Sequence, residues 1–143
     1  MSANLIDKTW ARIAFIVLLL LGRGLVLAGD ATNFPPYTIK HVAAPEAAKL
    51  VAQGGLIVLD VRTPKEFAAG HIAGATNIDY YATNFVAQLG QLDKSKPYLL
   101  HCASGARSTK CLPHLELQGF KYIVHLDGGF NAWQAAGNPV EKK

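Results

Sequence analysis

Cysteine is scarce in this sequence: the 143 residues include only Cys102 and Cys111. Two cysteines cannot build the disulfide framework on which many small secreted folds depend. The first lies where a predicted helix begins and the second lies well inside it, so the rise of the helix holds them too far apart for a bridge. The fold must therefore be stabilised by a buried core, and a composition that is 50% hydrophobic is sufficient for one.

A large excess of charge is also absent. The formal net charge is +4, and the N-terminal residues Asp7, Lys8, Arg12 and Arg23 contribute +2 of it. The remaining positive charge is scattered over the rest of the chain and forms no basic cluster. The sequence therefore does not predict binding to nucleic acid.

The chain shows no spacing of cysteine, histidine or acidic residues that is typical of a metal site. His41, His114 and His125 are far apart in the sequence and share no ligand motif. The length fits one domain with a short extension, and no internal repeat is visible. The sequence therefore predicts a single domain without a metal centre.

Long hydrophobic runs are limited to the N-terminus, where Lys8 and Arg12 precede an apolar run at residues 13–21. Small and medium side chains follow at 26–28, an order typical of a secretory signal peptide at 1–28. Uncleaved, the same segment is nearly long enough to anchor the protein in a membrane. In both cases the positive charges stay in the cytoplasm. We therefore expect an exported domain, in the periplasm or another external compartment.

A linker with paired prolines, residues 29–37, leads into the predicted domain at 38–140. In this domain short apolar segments alternate with helical patterns, and glycine or proline marks most boundaries. The alternation predicts an α/β fold with an open, mostly parallel sheet covered by helices. The predicted strands are Thr38–Val42, 56–61, 75–78, 97–101 and Tyr122–Leu126, and the predicted helices are 46–53, 64–69, one from a Thr83 cap to Gly90, 107–118 and one around Trp133.

One stretch carries the functional interpretation: a strand runs into Cys102, and a helix begins near Arg107. Active sites of parallel sheets lie at the carboxyl ends of the strands, and Cys102 follows such an end. The next five amides can form a nest that points at the sulfur, and the helix N-terminus adds positive potential. A thiol held there has a lowered pKa and is partly a nucleophilic thiolate. The predicted nest consists of Ala103, Ser104, Gly105, Ala106 and Arg107, and residues 102–107 are named the cysteine loop.

The alternative for Cys102 is an inert, buried thiol, which is common for free cysteine. A cysteine followed by Ala-Ser-Gly-Ala at a strand–helix junction is badly suited to burial, so we interpret Cys102 as the nucleophile. Cys111 falls on the apolar face of the following helix, and we interpret it as a core residue.

Three charged residues are predicted to surround the cysteine loop. Arg107 lies in the first turn of a helix, an unfavourable place for a cation, so its guanidinium is predicted to bind an oxyanion. Asp60 and Arg62 are two positions apart at the end of the central strand and share one face of it. We predict that they form a structural pair that supports the loop, with direct contact to substrate as the alternative.

Three blocks of residues occur in a characteristic order: Leu59 to Arg62 with Glu66, Phe67, Gly70, His71, Ile72, Gly74, Ala75, Asn77 and Ile78; then Cys102, Gly105, Arg107 and Ser108; then Gly119, Phe120, Leu126 to Gly129, Ala132, Trp133 and Gly137. Together they resemble the motifs of single-domain rhodaneses, a family of sulfurtransferases. The resemblance implies a rhodanese-like three-layer fold, a five-stranded mostly parallel sheet flanked by helices. It also implies that Cys102 takes sulfur from a donor such as thiosulfate, becomes a persulfide, and passes the sulfur to cyanide, a thiol or an acceptor protein. No metal or organic cofactor is implied.

Two other functions remain open at the level of sequence. The loop also looks like the His-Cys-x5-Arg pattern of phosphatases and arsenate reductases, but here only four residues separate Cys102 from Arg107. A tetrahedral phosphoryl group needs a wider cradle than a single terminal sulfur, and we can assign no carboxylic acid to protonate a leaving group. The other possibility is a non-catalytic sulfur carrier or binding module, since folds are reused without their chemistry.

Overall fold

The computed structural model describes residues 37–142, so the predicted signal peptide or anchor and nearly all of the linker lie outside the described residues. The described chain forms one five-stranded sheet in the order β1-β5-β4-β2-β3, and every pair of neighbouring strands is parallel. The strands are β1 Thr38–Val42, β2 Ile57–Asp60, β3 Thr76–Asn77, β4 Pro97–His101 and β5 Tyr122–Leu126.

Helices connect successive strands, as a parallel sheet requires. They are α1 Ala44–Gln53, α2 Pro64–Ala69, α3 Phe85–Gly90, α4 Ala106–Leu117 and α5 Gly129–Ala135. The α/β fold predicted from the alternation of elements is confirmed. Most boundaries differ by one or two residues from the prediction, and α3 is capped at Asn84 instead of Thr83.

Two apolar clusters, one on each face of the sheet, form the core. Alternate residues of β4 divide between them, with Tyr98 and Leu100 in one cluster and Leu99 in the other. Helices α3 and α4 cover the first cluster, and α1 and α5 cover the second. The continuous apolar runs of the central strands follow from burial on both faces. The result is the expected three-layer arrangement.

All parallel strands present their carboxyl ends at the same edge of the sheet. Asp60, at the end of β2, is in register with His101, at the end of β4. Cys102 follows directly, and β5 ends nearby at Leu126. This edge therefore collects the loops that carry the polar residues of the sequence motifs. Within residues 37–142, no helix has the length and apolarity needed to cross a membrane.

Candidate active site

The cysteine loop holds the sulfur of Cys102 with groups from the start of α4. Gly105 caps this helix in the left-handed conformation, with φ 102°, which glycine adopts without strain. In this position its amide donates a hydrogen bond to Sγ of Cys102 over 3.1 Å. The hydroxyl of Ser108 lies 3.5 Å from the same sulfur. The loop therefore directs polar hydrogens at the sulfur.

The two cysteines have opposite electrostatic environments. Burial raises the pKa of the Cys102 thiol, but hydrogen bonds from the Ser108 side chain and from the amides of Ser108, Gly105 and Ser104 outweigh it, so the pKa is lowered. Burial raises the pKa of Cys111 to about 12. Because the thiolate is the nucleophilic form, this difference favours Cys102 as the candidate nucleophile over Cys111, which is buried in the core.

The expectation that Cys102 is badly suited to burial is wrong, because the residue is only 1% exposed. The start of α5 covers the loop. The amide of Phe130 donates to the carbonyl of Cys102 over 2.8 Å, and the amide of Asn131 donates to the carbonyl of Ala103 over 2.9 Å. This cover comes from a segment far along the chain, so the local sequence around Cys102 did not reveal it.

Gly129 makes this close packing possible, because a β-carbon built there would lie 2.5 Å from the carbonyl oxygen of Cys102. We expect Gly129→Ala to destabilise the protein and displace the cysteine loop. Gly74→Ala is the matched control, since Gly74 also has a positive φ but a β-carbon added there would have no neighbour within 4 Å. Equilibrium unfolding should show that Gly129→Ala costs at least about 2 kcal/mol more than Gly74→Ala, from overpacking. Equal losses would contradict the packing argument.

Arg107 is paired with an anion of the chain itself, which the sequence analysis did not predict. Its guanidinium forms a two-point ion pair with Glu66, with N–O distances of 2.8 and 2.7 Å. Glu66 is held in place by Thr63 in the capping box of α2. The ring of Tyr81 lies 5.7 Å from the guanidinium carbon. The unfavourable cation at the helix N-terminus is therefore compensated from within the chain, by a residue 41 positions away.

The Arg107–Glu66 ion pair makes the stability of the fold depend on pH. Hydrogen bonding to Arg107, opposed by burial, lowers the pKa of Glu66 to about 2. A carboxylate whose pKa is lower in the folded state stabilises the fold above its unfolded pKa of about 4.3 and loses that contribution as the pH falls towards 2. We expect a melting-temperature difference between wild type and Glu66→Gln at pH 7 that shrinks by pH 3. Glu116→Gln, at an exposed carboxylate of α4, is the control and should show no such trend. A constant difference for Glu66→Gln would refute the effect.

Asp60 and Arg62 are paired and buried, with exposures of 0% and 4%. Nε and Nη2 of Arg62 donate to the Asp60 carboxylate, and the Nη2 contact is 2.6 Å. The guanidinium also donates to the carbonyl of Gly70 over 2.7 Å and lies over the Phe130 ring. The pair thereby ties β2 to the end of α2 and to the start of α5, the two segments that flank the cysteine loop.

A cavity of about 280 Å³ lies beside the cysteine loop. Ala103 of the loop lines it, together with Glu66, Arg62 and Asn131. It is open to solvent, and its walls are both polar and apolar. The cavity has room for a small anion, and Ala103 is the residue of the cysteine loop that borders it.

The fold also assembles a polar cluster that sequence spacing did not indicate. His41 and His125 are in register on β1 and β5, and both Nδ1 atoms lie within hydrogen-bonding distance of Oδ1 of Asp127, at 2.8 and 3.1 Å. The donor atoms of the three residues lie within 4.8 Å of one another. Nε2 of His125 lies 2.9 Å from Oγ of Ser108. The pairing of two strands that are distant in sequence creates this cluster.

Taken together, the parallel sheet, the buried thiol with a lowered pKa and the amide directed at it form an α/β domain with a candidate cysteine site at the carboxyl edge of its sheet. A family profile described as the rhodanese-like domain matches residues 43–136. The chain belongs to this family, and it is a sulfurtransferase of the rhodanese type. The resemblance inferred from the motifs is confirmed.

Relatives with assigned activities are similar over most of their length. The chain is 36% identical over 92 residues to a protein from Pseudomonas entomophila called thiosulfate sulfurtransferase GlpE, and the match covers 64% of this chain and 83% of the relative. It is 35% identical over 96 residues to the Pseudomonas putida protein of the same name, covering 67% of this chain and 86% of the relative. These matches support the assignment to sulfur transfer.

Solved structures agree with the fold. A rhodanese-related protein from Thermoplasma volcanium superposes with a TM-score of 0.65 at 30% identity, over 73% of this chain and 99% of that one. A rhodanese-like domain protein from Staphylococcus aureus superposes with a TM-score of 0.62 at 30% identity, over 73% of this chain and 98% of that one. The five-stranded sheet predicted by the resemblance is therefore confirmed.

Proposed function

We propose that this protein moves a sulfane sulfur from thiosulfate, or a similar donor, to cyanide or a thiol through a persulfide on Cys102. The observation that carries the proposal is the sulfur of Cys102, which accepts a hydrogen bond from the amide of Gly105 and lies beside the hydroxyl of Ser108. The names of the Pseudomonas relatives support thiosulfate as the donor.

The reaction has two displacements. The Cys102 thiolate attacks the outer sulfur of thiosulfate, an S–S bond forms at Cys102, and the original S–S bond breaks as sulfite leaves with its electron pair. The acceptor then attacks the terminal sulfur and restores the thiolate. The persulfide is an anion, and the same amides that lower the pKa of the thiol stabilise its charge. The proposal therefore needs no oxidant and no cofactor.

The donor reaches the sulfur from the cavity beside the loop. Cys102 is 1% exposed, so the loop has to move outward for the displacement. The loop residues Ala103, Ser104, Gly105 and Ala106 are small, so the movement displaces little side-chain volume. Arg107 does not line this cavity itself, but two of its N–H groups are paired with Glu66, which does. The remaining N–H groups of its guanidinium are available for the oxyanion end of thiosulfate.

Mass spectrometry of the intact protein after treatment with thiosulfate tests the proposal. We expect the mass to increase by one sulfur, about 32 Da, and cyanide to remove the gain as thiocyanate forms. A parallel assay with an aryl phosphate tests the phosphatase alternative. Phosphate hydrolysis without any gain of sulfur would overturn the proposal.

A sulfur carrier is the second candidate, and the burial of Cys102 favours it. A carrier would gain the same sulfur from thiosulfate but would release it to one protein partner and not to cyanide. The rate of discharge therefore separates the two functions. Rapid release of the sulfur to cyanide or a small thiol supports the enzyme. A persulfide that persists in the presence of both acceptors supports the carrier.

We further propose that the domain acts outside the cytoplasm. The proposal rests on the order of charge, apolar run and small residues in 1–28, which lies outside the described residues. Cell fractionation followed by N-terminal sequencing of the exported protein tests it. A start near residue 29 supports cleavage, and an intact N-terminus in the membrane fraction supports an anchor. Full-length protein in the cytoplasm would refute export.

A further inference from the structure

We propose that Ser108, His125 and Asp127 form a proton relay that takes the proton from the Cys102 thiol, with Ser108 as the contact and His125 and Asp127 as positioning residues. The inference deepens the proposed function, because it assigns the proton that must leave before the thiolate attacks.

A continuous chain of polar contacts connects the sulfur to the protein surface. Sγ of Cys102 lies 3.5 Å from Oγ of Ser108, which lies 2.9 Å from Nε2 of His125. Nδ1 of His125 lies 3.1 Å from Oδ1 of Asp127. The same oxygen is 2.8 Å from Nδ1 of His41. The chain begins at a buried thiol and ends at two side chains that are each 54% exposed.

The contacts fix the hydrogens of His125. A carboxylate only accepts hydrogen bonds, so Nδ1 of His125 carries the hydrogen that it donates to Asp127. Nε2 of the neutral ring is then an acceptor, and the hydroxyl of Ser108 is positioned to donate to it. The single hydroxyl hydrogen of Ser108 has two further acceptors, the carbonyl of Gly105 at 3.0 Å and, once the thiol has lost its proton, Sγ of Cys102 at 3.5 Å. The neutral ring is therefore ready to take a proton on the side that faces the cysteine loop.

The electrostatic surroundings keep this ring neutral at rest. Burial lowers the pKa of His125, and the neighbouring His41 lowers it further, while Asp127 opposes both. The charged or titratable groups near the ring are Asp127 after β5, His41 from β1, and Cys102, reached through Ser108 of α4. A base must be unprotonated to act, and His125, which is 3% exposed, meets that condition at neutral pH.

The transfer is balanced. The S–H bond of Cys102 breaks as an O–H bond forms at Ser108, and the hydroxyl hydrogen of Ser108 moves to Nε2 of His125. The electron pair stays on the sulfur as a thiolate, and the ring becomes an imidazolium whose charge Asp127 stabilises. The hydroxyl of Ser108 then donates to the thiolate. The imidazolium then passes its Nδ1 proton through the exposed Asp127 carboxylate to water, and the neutral ring keeps the transferred hydrogen on Nε2, which donates to Oγ of Ser108.

The pH dependence of Cys102 alkylation by iodoacetamide tests the relay without requiring any sulfur transfer. A coupled thiol–imidazole pair loses two protons in two steps. Between the steps the sulfur and the ring share one proton, so part of the thiol is thiolate. The wild-type alkylation rate should therefore rise through two inflections separated by a plateau. In Asp127→Asn, the side chain no longer holds the hydrogen of His125 on Nδ1, so Nε2 is no longer fixed as the acceptor. Because Asp127 is exposed, this variant should fold. We expect the lower inflection to disappear, because the thiolate fraction of Cys102 then follows one, higher pKa. The alkylation rate at pH 6 should fall about tenfold.

Further variants make the result specific. His125→Gln should lose the same inflection, whereas His114→Gln, on the outer part of α4, should retain it. Because Ser108 connects the thiol to His125, the double variant Ser108→Ala with His125→Gln should match Ser108→Ala alone. The relay is overturned if Asp127→Asn keeps both inflections or if the double variant shows additive losses. It is also overturned if EDTA, a metal chelator, removes the lower inflection from the wild type, because a bound metal ion would then be its cause. Failure of the proposed sulfur transfer would appear separately, as an absent gain of sulfur with the alkylation profile intact.

Discussion

Cys102→Ala is expected to abolish sulfur transfer, with a loss of at least about a thousandfold in turnover, as for other nucleophile deletions. The reason is that no other thiol in the chain has a comparable environment. Hydrogen bonds from Ser108, Gly105 and Ser104 lower the pKa of Cys102, while burial raises the pKa of Cys111 to about 12. The variant should also fail to gain sulfur from thiosulfate, and thiocyanate formation measures the loss of turnover.

Cys111→Ala is the matched control, since both cysteines are buried and each substitution removes one sulfur atom. This control should keep its activity and its gain of sulfur, with a modest loss of stability from the small cavity in the core. Activity that survives in Cys102→Ala but disappears in Cys111→Ala would reverse the assignment of the nucleophile. Near-ultraviolet circular dichroism of both variants establishes that the comparison is made between folded proteins.

Asp60→Ala is expected to cause the largest loss of stability of a single substitution at the site, about 3–5 kcal/mol, because it leaves a buried guanidinium without its carboxylate. Asp60 is 0% exposed and Arg62 is 4% exposed, so water cannot replace the lost partner without opening the structure. Denaturant unfolding gives the free energy directly. Activity should fall with it, since the pair ties together the segments that flank the cysteine loop.

A double variant separates the charge from the packing. Asp60→Ala combined with Arg62→Met removes both charges and should recover part of the loss, because an apolar replacement of a buried ion pair is often close to neutral. Lys40→Ala breaks an ion pair whose side chains are 48% and 49% exposed, and it should change the stability little. If Asp60→Ala and Lys40→Ala had equal effects, burial would not be the decisive factor.

The sequence was sufficient to predict most of the fold because each element carries its own local signal. Continuous apolar runs marked β2 and β4, and the Thr63, Pro64 and Glu66 pattern marked the start of α2, where the structure has a full capping box. β3 was predicted at 75–78 but spans only Thr76–Asn77, since an edge strand pairs with one neighbour and its ends are not fixed by a ladder.

The structure supports part of the predicted amide nest around Cys102 and adds contacts that the sequence did not indicate. Of the five predicted amides, that of Gly105 donates a hydrogen bond to the sulfur, and that of Ser104 helps to lower the pKa of the thiol. The amide of Ser108, one residue beyond the predicted nest, lowers this pKa too. The ion pair of Arg107 with Glu66 was missed because the oxyanion interpretation considered only groups outside the chain. The motif residues had already included Glu66, so the signal was available as a carboxylate in the first turn of α2.

The sequence by itself determined the order of elements and the loop that lowers the pKa of Cys102, because these depend on residues within a few positions of one another. Only the tertiary structure decided that Cys102 is covered and that His125 contacts Ser108. Those contacts need β5 beside β4, α5 above the loop and β1 at the edge, an arrangement set by packing of the whole sheet. The chemistry of the thiol is therefore encoded locally, while access to it and the path of its proton depend on segments that are distant in the chain.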